Sequence, residues 1–190
     1  MKGWNVRIFV VWSAALVAIV ALHRGDGDAY SSRIALARLV GWQAAVALVL
    51  ALCVNPVSRF VKKLPEPAKL RRALGVAAAS AAVIHALIAV SSSPLTLAQQ
   101  LEDPHLRFGF GALIVLVLMG ITSFPRVVAW LHLRSWKELH RLVYVAWICA
   151  VLHAFLSPYA WLPGVMGVVV VVTIASLHKL WPRRARAAKA

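Results

Sequence analysis

The chain has 190 residues, of which 62% are hydrophobic and 14% charged, and its mean hydropathy is +0.79. That is too apolar and too poor in charge for a soluble domain of this length, so an integral membrane protein is expected. A formal net charge of +15 would point to nucleic acid in a soluble protein, but its placement along this chain follows membrane topology instead.

A helix needs about 20 apolar residues to cross roughly 30 Å of hydrocarbon, and six stretches qualify. The first, Trp4 to Leu22, could pass for a secretory signal. No small-x-small cleavage pattern precedes His23, so it is read as a retained span. The second runs from Arg33 to Val54, and the Pro-containing stretch KKLPEPAKLRR after it is a hinge within one domain. The third, Ala73 to Val90, carries His85 well inside it. An outer loop, SSSPLTLAQQLEDPHLRF, holds His105 and leads to the fourth span, Phe108 to Phe124. The GFG at Gly109 to Gly111 opens that span with no strand before it, so it reads as helix packing and not as a nucleotide loop. The fifth span, Leu142 to Leu156, is short, and the Trp136 to Arg141 lead-in can extend it. The sixth is Trp161 to Leu180, and a basic tail occupies residues 181–190. No repeat is evident. Cys53 and Cys149 lie in apolar runs without a CxxC partner and read as small buried hydrophobes, with no disulfide expected.

Lysine and arginine alternate with the spans. Lys2 and Arg7; Arg59, Lys62, Lys63, Lys69, Arg71 and Arg72; Arg126, Arg134, Lys137 and Arg141; and Lys179, Arg183, Arg184, Arg186 and Lys189 all fall on one side. The other side holds Arg24, Arg33, Arg38 and Arg107, beside Asp26, Asp28, Glu102 and Asp103. The positive-inside rule then places both termini in the cytoplasm, with the basic side toward anionic headgroups of the membrane lipids. Nucleic acid is not expected as a partner.

His23, His178, His105 and His132 fall at span ends or in loops and read as solvated. His85 and His153 differ, because an ionisable group deep in an apolar run marks a functional site by default. His85 lies 12 residues from Ala73 and His153 lies 12 residues from Arg141, so both sit about 18 Å from the cytoplasmic edge. Two neutral imidazoles at one depth can grip a haem iron from both axial positions. They can equally be polar glue, bonded to neighbouring backbone. At the inner level stand His140, which is 13 residues before His153, and Arg71 and Arg72. A guanidinium cannot be an ordinary axial ligand but suits a haem propionate or an anionic lipid. On a straight helix His140 and His153 would be about 140° apart, so they can share one cleft only if the helix bends or is locally rewound.

LRRALGVAAASAAVIHAL, the TSFP that ends the fourth span, and WKELHRLVYVAWICAVLH resemble the ferric reductase-like transmembrane domain family. The likeness runs roughly from Arg33 to Lys179 and is strongest to the haem-binding membrane subunits of bacterial periplasmic methionine sulfoxide reductase systems. The resemblance implies an all-α bundle of six membrane spans with a b-type haem held by His85 and His153 between the third and fifth spans. It attaches His140, with Arg71 and Arg72, to a second haem or to the point where electrons enter, and it associates FMN with the protein. It further implies the bacterial inner membrane as location and an MsrP-like periplasmic oxidoreductase as partner. The domains that follow are 1–32 (first span and outer loop), 33–180 (haem-binding domain) and 181–190 (basic cytoplasmic tail). The loop RVVAWLHLRSW is longer and more aromatic than that pattern, and the outer loop would have to supply the partner contact.

No flavin or nicotinamide module is visible in the sequence, so electrons are expected from quinol or a cytoplasmic flavin reductase, and the chain reads as a subunit and not as a self-contained enzyme. Three readings stay open: such an electron-transfer subunit, a stand-alone ferric reductase-like cytochrome, and a non-redox transporter or structural membrane protein.

Overall fold

The computed structural model describes residues 29–60, 66–131, 136 and 138–157. The expected first and sixth spans, the basic tail, His23, His132 and His178 lie outside the described residues. Those described form helices and no strand: α1 (Ala29–Phe60), α2 (Pro67–Ser92), α3 (Leu97–Gln100), α4 (Pro104–Ile121), α5 (Pro125–Leu131) and α6 (Val143–Leu156), with a 3-10 turn at His140–Leu142 leading into α6. Among the described residues three stretches are long and apolar enough to cross a membrane, namely Ser32–Val54 within α1, all of α2 and all of α4. The apolar helix His140–Leu156 is shorter.

The boundaries follow local chemistry. Pro67 and Pro104 occupy first-turn positions, where the missing N–H costs nothing. Asp103 caps α4 by accepting from the His105 N–H at 3.0 Å. Short α3 starts on a capping box in which Thr96 and Gln99 satisfy each other's backbone donors. At its far end α4 closes with Thr122 and Ser123 returning their hydroxyls to the carbonyls of Leu118 and Met119. The lead-in to the fifth span is α-helical at residues 136, 138 and 139 and passes through a 3-10 turn at His140–Leu142 before α6 begins.

Packing is pairwise and antiparallel. Along the α1–α2 seam Ala51 and Val54 meet Leu74, Val40 and Ala44 meet Ala81, and the order reverses from one helix to the other. A central cluster of Ala47, Leu48, Ala77, Ala78, Ala79, Leu116, Val143 and Ala146 ties this pair to the α4–α6 pair. Its small residues let backbones approach, as helix association in lipid requires. Outward-facing Leu87, Ile114 and Trp130 are 64%, 67% and 78% exposed, a surface suited to acyl chains.

The structure corrects the expectation of no repeat. Shifting the chain by 68 residues (37 to 105, 41 to 109, 85 to 153) lays α1 on α4 and α2 on α6. Gly41 meets Gly109, His85 meets His153, and three buried positions coincide in residue type. Ala44 and Ala112 are 8% and 5% exposed, Leu48 and Leu116 are 3% and 6%, and Ala78 and Ala146 are both 0%. Two helical hairpins run in the same direction, the arrangement of a parallel repeat about an axis along the membrane normal. Sequence identity is too sparse for the repeat to be seen without the contacts.

Candidate functional site

His85 on α2 and His153 on α6 face each other with ring centroids 6.1 Å apart and ring planes at 70°. They line a cleft of about 290 Å³ whose walls are mostly apolar, with Gly41, Gly109, Phe110, Leu116 and Trp147 among them. Arg38, Gln100 and Ser157 add polar groups to the same lining. Each imidazole has its Nδ1 2.7 Å from a backbone carbonyl of the paired helix, His85 at Ala37 and His153 at His105. Carbonyls accept only, so both rings carry their proton on Nδ1, which leaves Nε2 as the nitrogen with an available lone pair.

The separation can be tested against ligation of a single metal between the rings. Two imidazole–metal bonds of about 2 Å each, plus about 1 Å from each nitrogen to its ring centre, place the centroids about 6 Å apart. The observed 6.1 Å fits. The backbone bond that polar glue calls for is present at both rings through Nδ1, and it leaves Nε2 open to a ligand. Among the described residues the only hydrogen bonds of His85 and His153 are those through Nδ1.

His105, read from sequence as a solvated loop residue, stands against His153 without lining the cleft. Its ring stacks on His153 at 5.4 Å and 15°, and its carbonyl takes the His153 proton. Its own Nδ1 is 2.7 Å from the Asp103 carboxylate. The His105 ring first, and its backbone N–H second, hold the Asp103 carboxyl below the ordinary carboxylate range. His105 precedes His153 by the same 48 residues that separate Ala37 from His85, an equivalence that only the contacts reveal.

His140 belongs to a different neighbourhood. It does not line the cleft. Its ring lies 4.1 Å from that of Trp136, its Nδ1 is 3.2 Å from the Trp136 carbonyl, and its Nε2 is 3.4 Å from the Ser123 hydroxyl. Arg71 and Arg72, in the first turns of α2, are close enough for their charges to be felt at His140, and no hydrogen bond joins either guanidinium to its ring among the described residues. Of the five sequence candidates the structure brings His85 and His153 together at the cleft and leaves His140 apart from them, beside Trp136 and Ser123.

Comparison with known proteins shows the family. The family described as "Ferric reductase like transmembrane component" matches residues 36–151, a stretch that takes in both hairpins and stops just short of His153. The chain is 35% identical over 117 residues to the protein named protein-methionine-sulfoxide reductase heme-binding subunit MsrQ of Deinococcus radiodurans, covering 60% of this chain and 57% of that one. To the protein of the same name from Ralstonia nicotianae it is 31% identical over 156 residues, covering 78% and 71%. To that from Polaromonas naphthalenivorans it is 30% identical over 129 residues, covering 64% and 57%. The chain therefore spans a little over half the length of the first and third of these relatives. With a match over most of its length and its apolar helices laid out as two membrane hairpins, the chain belongs to the ferric reductase like transmembrane component family.

Proposed function

We propose that this chain is a haem-binding membrane subunit that passes electrons across the bacterial inner membrane to a periplasmic methionine sulfoxide reductase. The observation that carries the reading is the opposed pair His85 and His153, 6.1 Å between centroids, with both Nδ1 atoms already engaged. His85 and His153 would hold a b-type haem by Nε2 from its two faces. Arg38, at the cleft lining with Gln100, offers a cation to the propionates. When bound, the haem supplies a one-electron couple, and the protein tunes it through the ligands, their hydrogen bonds and the apolar walls.

The chain's own residues do the rest. The Ala37 and His105 carbonyls hold the proton on Nδ1 and keep the imidazoles oriented toward the cleft. The apolar lining limits water. His140, with Arg71 and Arg72, forms the inner cluster, and we assign it to electron uptake from the cytoplasmic side, from quinol or a flavin reductase, or to a second, more weakly held haem with FMN as an associated cofactor. Residues 33–180 form the haem-binding unit on this reading, flanked by 1–32 and the basic tail 181–190.

The test is an absorption spectrum of the detergent-purified chain with and without its ligands. His85→Ala and His153→Ala should each remove most of the haem, since one remaining imidazole leaves the iron weakly held in an apolar cleft. Full reduced-minus-oxidised spectra in both variants would end the bis-histidine assignment. Reduction of ferric chelates by the isolated chain, with no partner added, would favour the stand-alone cytochrome over the subunit.

A further inference from the structure

In an α-helix the N–H four residues on uses one lone pair of each carbonyl, and the side chain at that position leans back over the turn that holds it. The carbonyls of Ala37 and His105 have glycine there, Gly41 and Gly109. With no side chain above it, the second lone pair is uncovered, and an imidazole from the paired helix reaches it at 2.7 Å in both places. A Cβ on Gly41 would stand 2.9 Å from His85 Nδ1 and 3.0 Å from its Cε1. A Cβ on Gly109 would stand 2.8 Å and 3.0 Å from the same two atoms of His153. Other helical glycines are not placed this way: a Cβ on Gly75 meets nothing within 4 Å, and one on Gly111 meets Cys149 Sγ at 3.7 Å.

Resting on the haem reading above, we propose that Gly41 and Gly109 are positioning residues for the two axial imidazoles, one in each copy of a duplicated half-site. Each half-site consists of a carbonyl, the glycine one turn after it and the histidine of the paired helix. The glycine's lack of a side chain is what lets Nδ1 reach its carbonyl. That hydrogen bond fixes the tautomer, aims the Nε2 lone pair at the iron and raises the basicity of the ligand. A more basic ligand favours the oxidised iron, so the two half-sites together hold the haem potential down.

The first arm uses the full chain in detergent with Gly41→Ala, Gly109→Ala and, as control, Gly75→Ala. The two half-site variants should bind haem about 10- to 100-fold more weakly, the usual cost of disturbing an outer-shell partner. In the haem they keep, the reduced-to-oxidised ratio at fixed ambient potential should rise by up to about tenfold, which is about 59 mV for a one-electron couple. Gly75→Ala should match the wild type. Half-site variants that match Gly75→Ala in both quantities would overturn the proposal, whereas a wild-type chain with no haem would remove only the reading it rests on.

The second arm needs no haem. Alanine is otherwise the better helix former, so thermal unfolding should show Gly41→Ala destabilising the chain when His85 is present and not when His85→Ala removes the ring it strikes. The same substitution should still destabilise a His153→Ala chain, and Gly109→Ala should show the converse dependence. Equal costs in every background would overturn the proposal.

Discussion

A neutral imidazole can bind a metal inside hydrocarbon only when its other nitrogen has an acceptor, because an unpartnered N–H there is costly. His85 and His153 meet that condition through backbone carbonyls, and His140 meets it through the Trp136 carbonyl. The difference lies at Nε2. For His140 that nitrogen faces the Ser123 hydroxyl at 3.4 Å, at the long end of hydrogen bonding. His140→Ala should therefore slow haem reduction from the cytoplasmic side, or lower haem content in part, while the spectrum owed to His85 and His153 stays recognisable. Haem stoichiometry and reduction rate measured on one preparation decide it: both unchanged would leave His140 a structural residue that packs on Trp136. Counting residues from the span ends was enough to pair His85 with His153 in depth. Their acceptors were not legible, because a backbone carbonyl has no sequence signature. Gly109 was read as packing, which is right, but what it packs against is an imidazole on a helix 44 residues away in sequence.

At the scale of elements, the described helices carry their interface in small residues and their lipid face in large ones. Apolar runs, prolines and the hinge located α1, α2 and α4 to within six residues at each end, since each of those signals is local. The repeat escaped because alanine and leucine are common in any span, and only burial shows that Ala44, Leu48 and Ala78 face inward as Ala112, Leu116 and Ala146 do. That equivalence has an energetic consequence. Ala78 and Ala146 are both fully buried where the four helices meet, so Ala78→Leu and Ala146→Leu should each overpack the centre at a cost of about 1–3 kcal/mol. Leu87→Ala, on a side chain 64% exposed, should be nearly neutral in detergent. Thermal unfolding of the three variants tests the shared centre, and a large difference between the two alanine sites would argue against equivalent hairpins.

At the scale of the molecule, orientation follows from the two hairpins pointing the same way. The last turn of α1, the first turns of α2 with Arg71 and Arg72, and the approach to α6 with His140 lie at one end. The opposite end holds the α2–α4 connection with Glu102, Asp103 and Arg107, and the His85–His153 pair lies toward it. Lysine and arginine resist translocation, so the end with the larger basic count should stay in the cytoplasm. The cleft histidines then sit in the outer half of the bilayer, on the side where a periplasmic acceptor would dock. Single cysteines introduced at Glu66 and Ala98, both exposed positions at opposite ends, in a chain with Cys53 and Cys149 replaced, make this measurable. A membrane-impermeant thiol reagent applied to intact cells should label Ala98→Cys and leave Glu66→Cys unmodified until the inner membrane is broken. Labelling of Glu66→Cys from outside would invert the topology. It would also move the cleft to the cytoplasmic half, and electrons could then not leave it toward the periplasm.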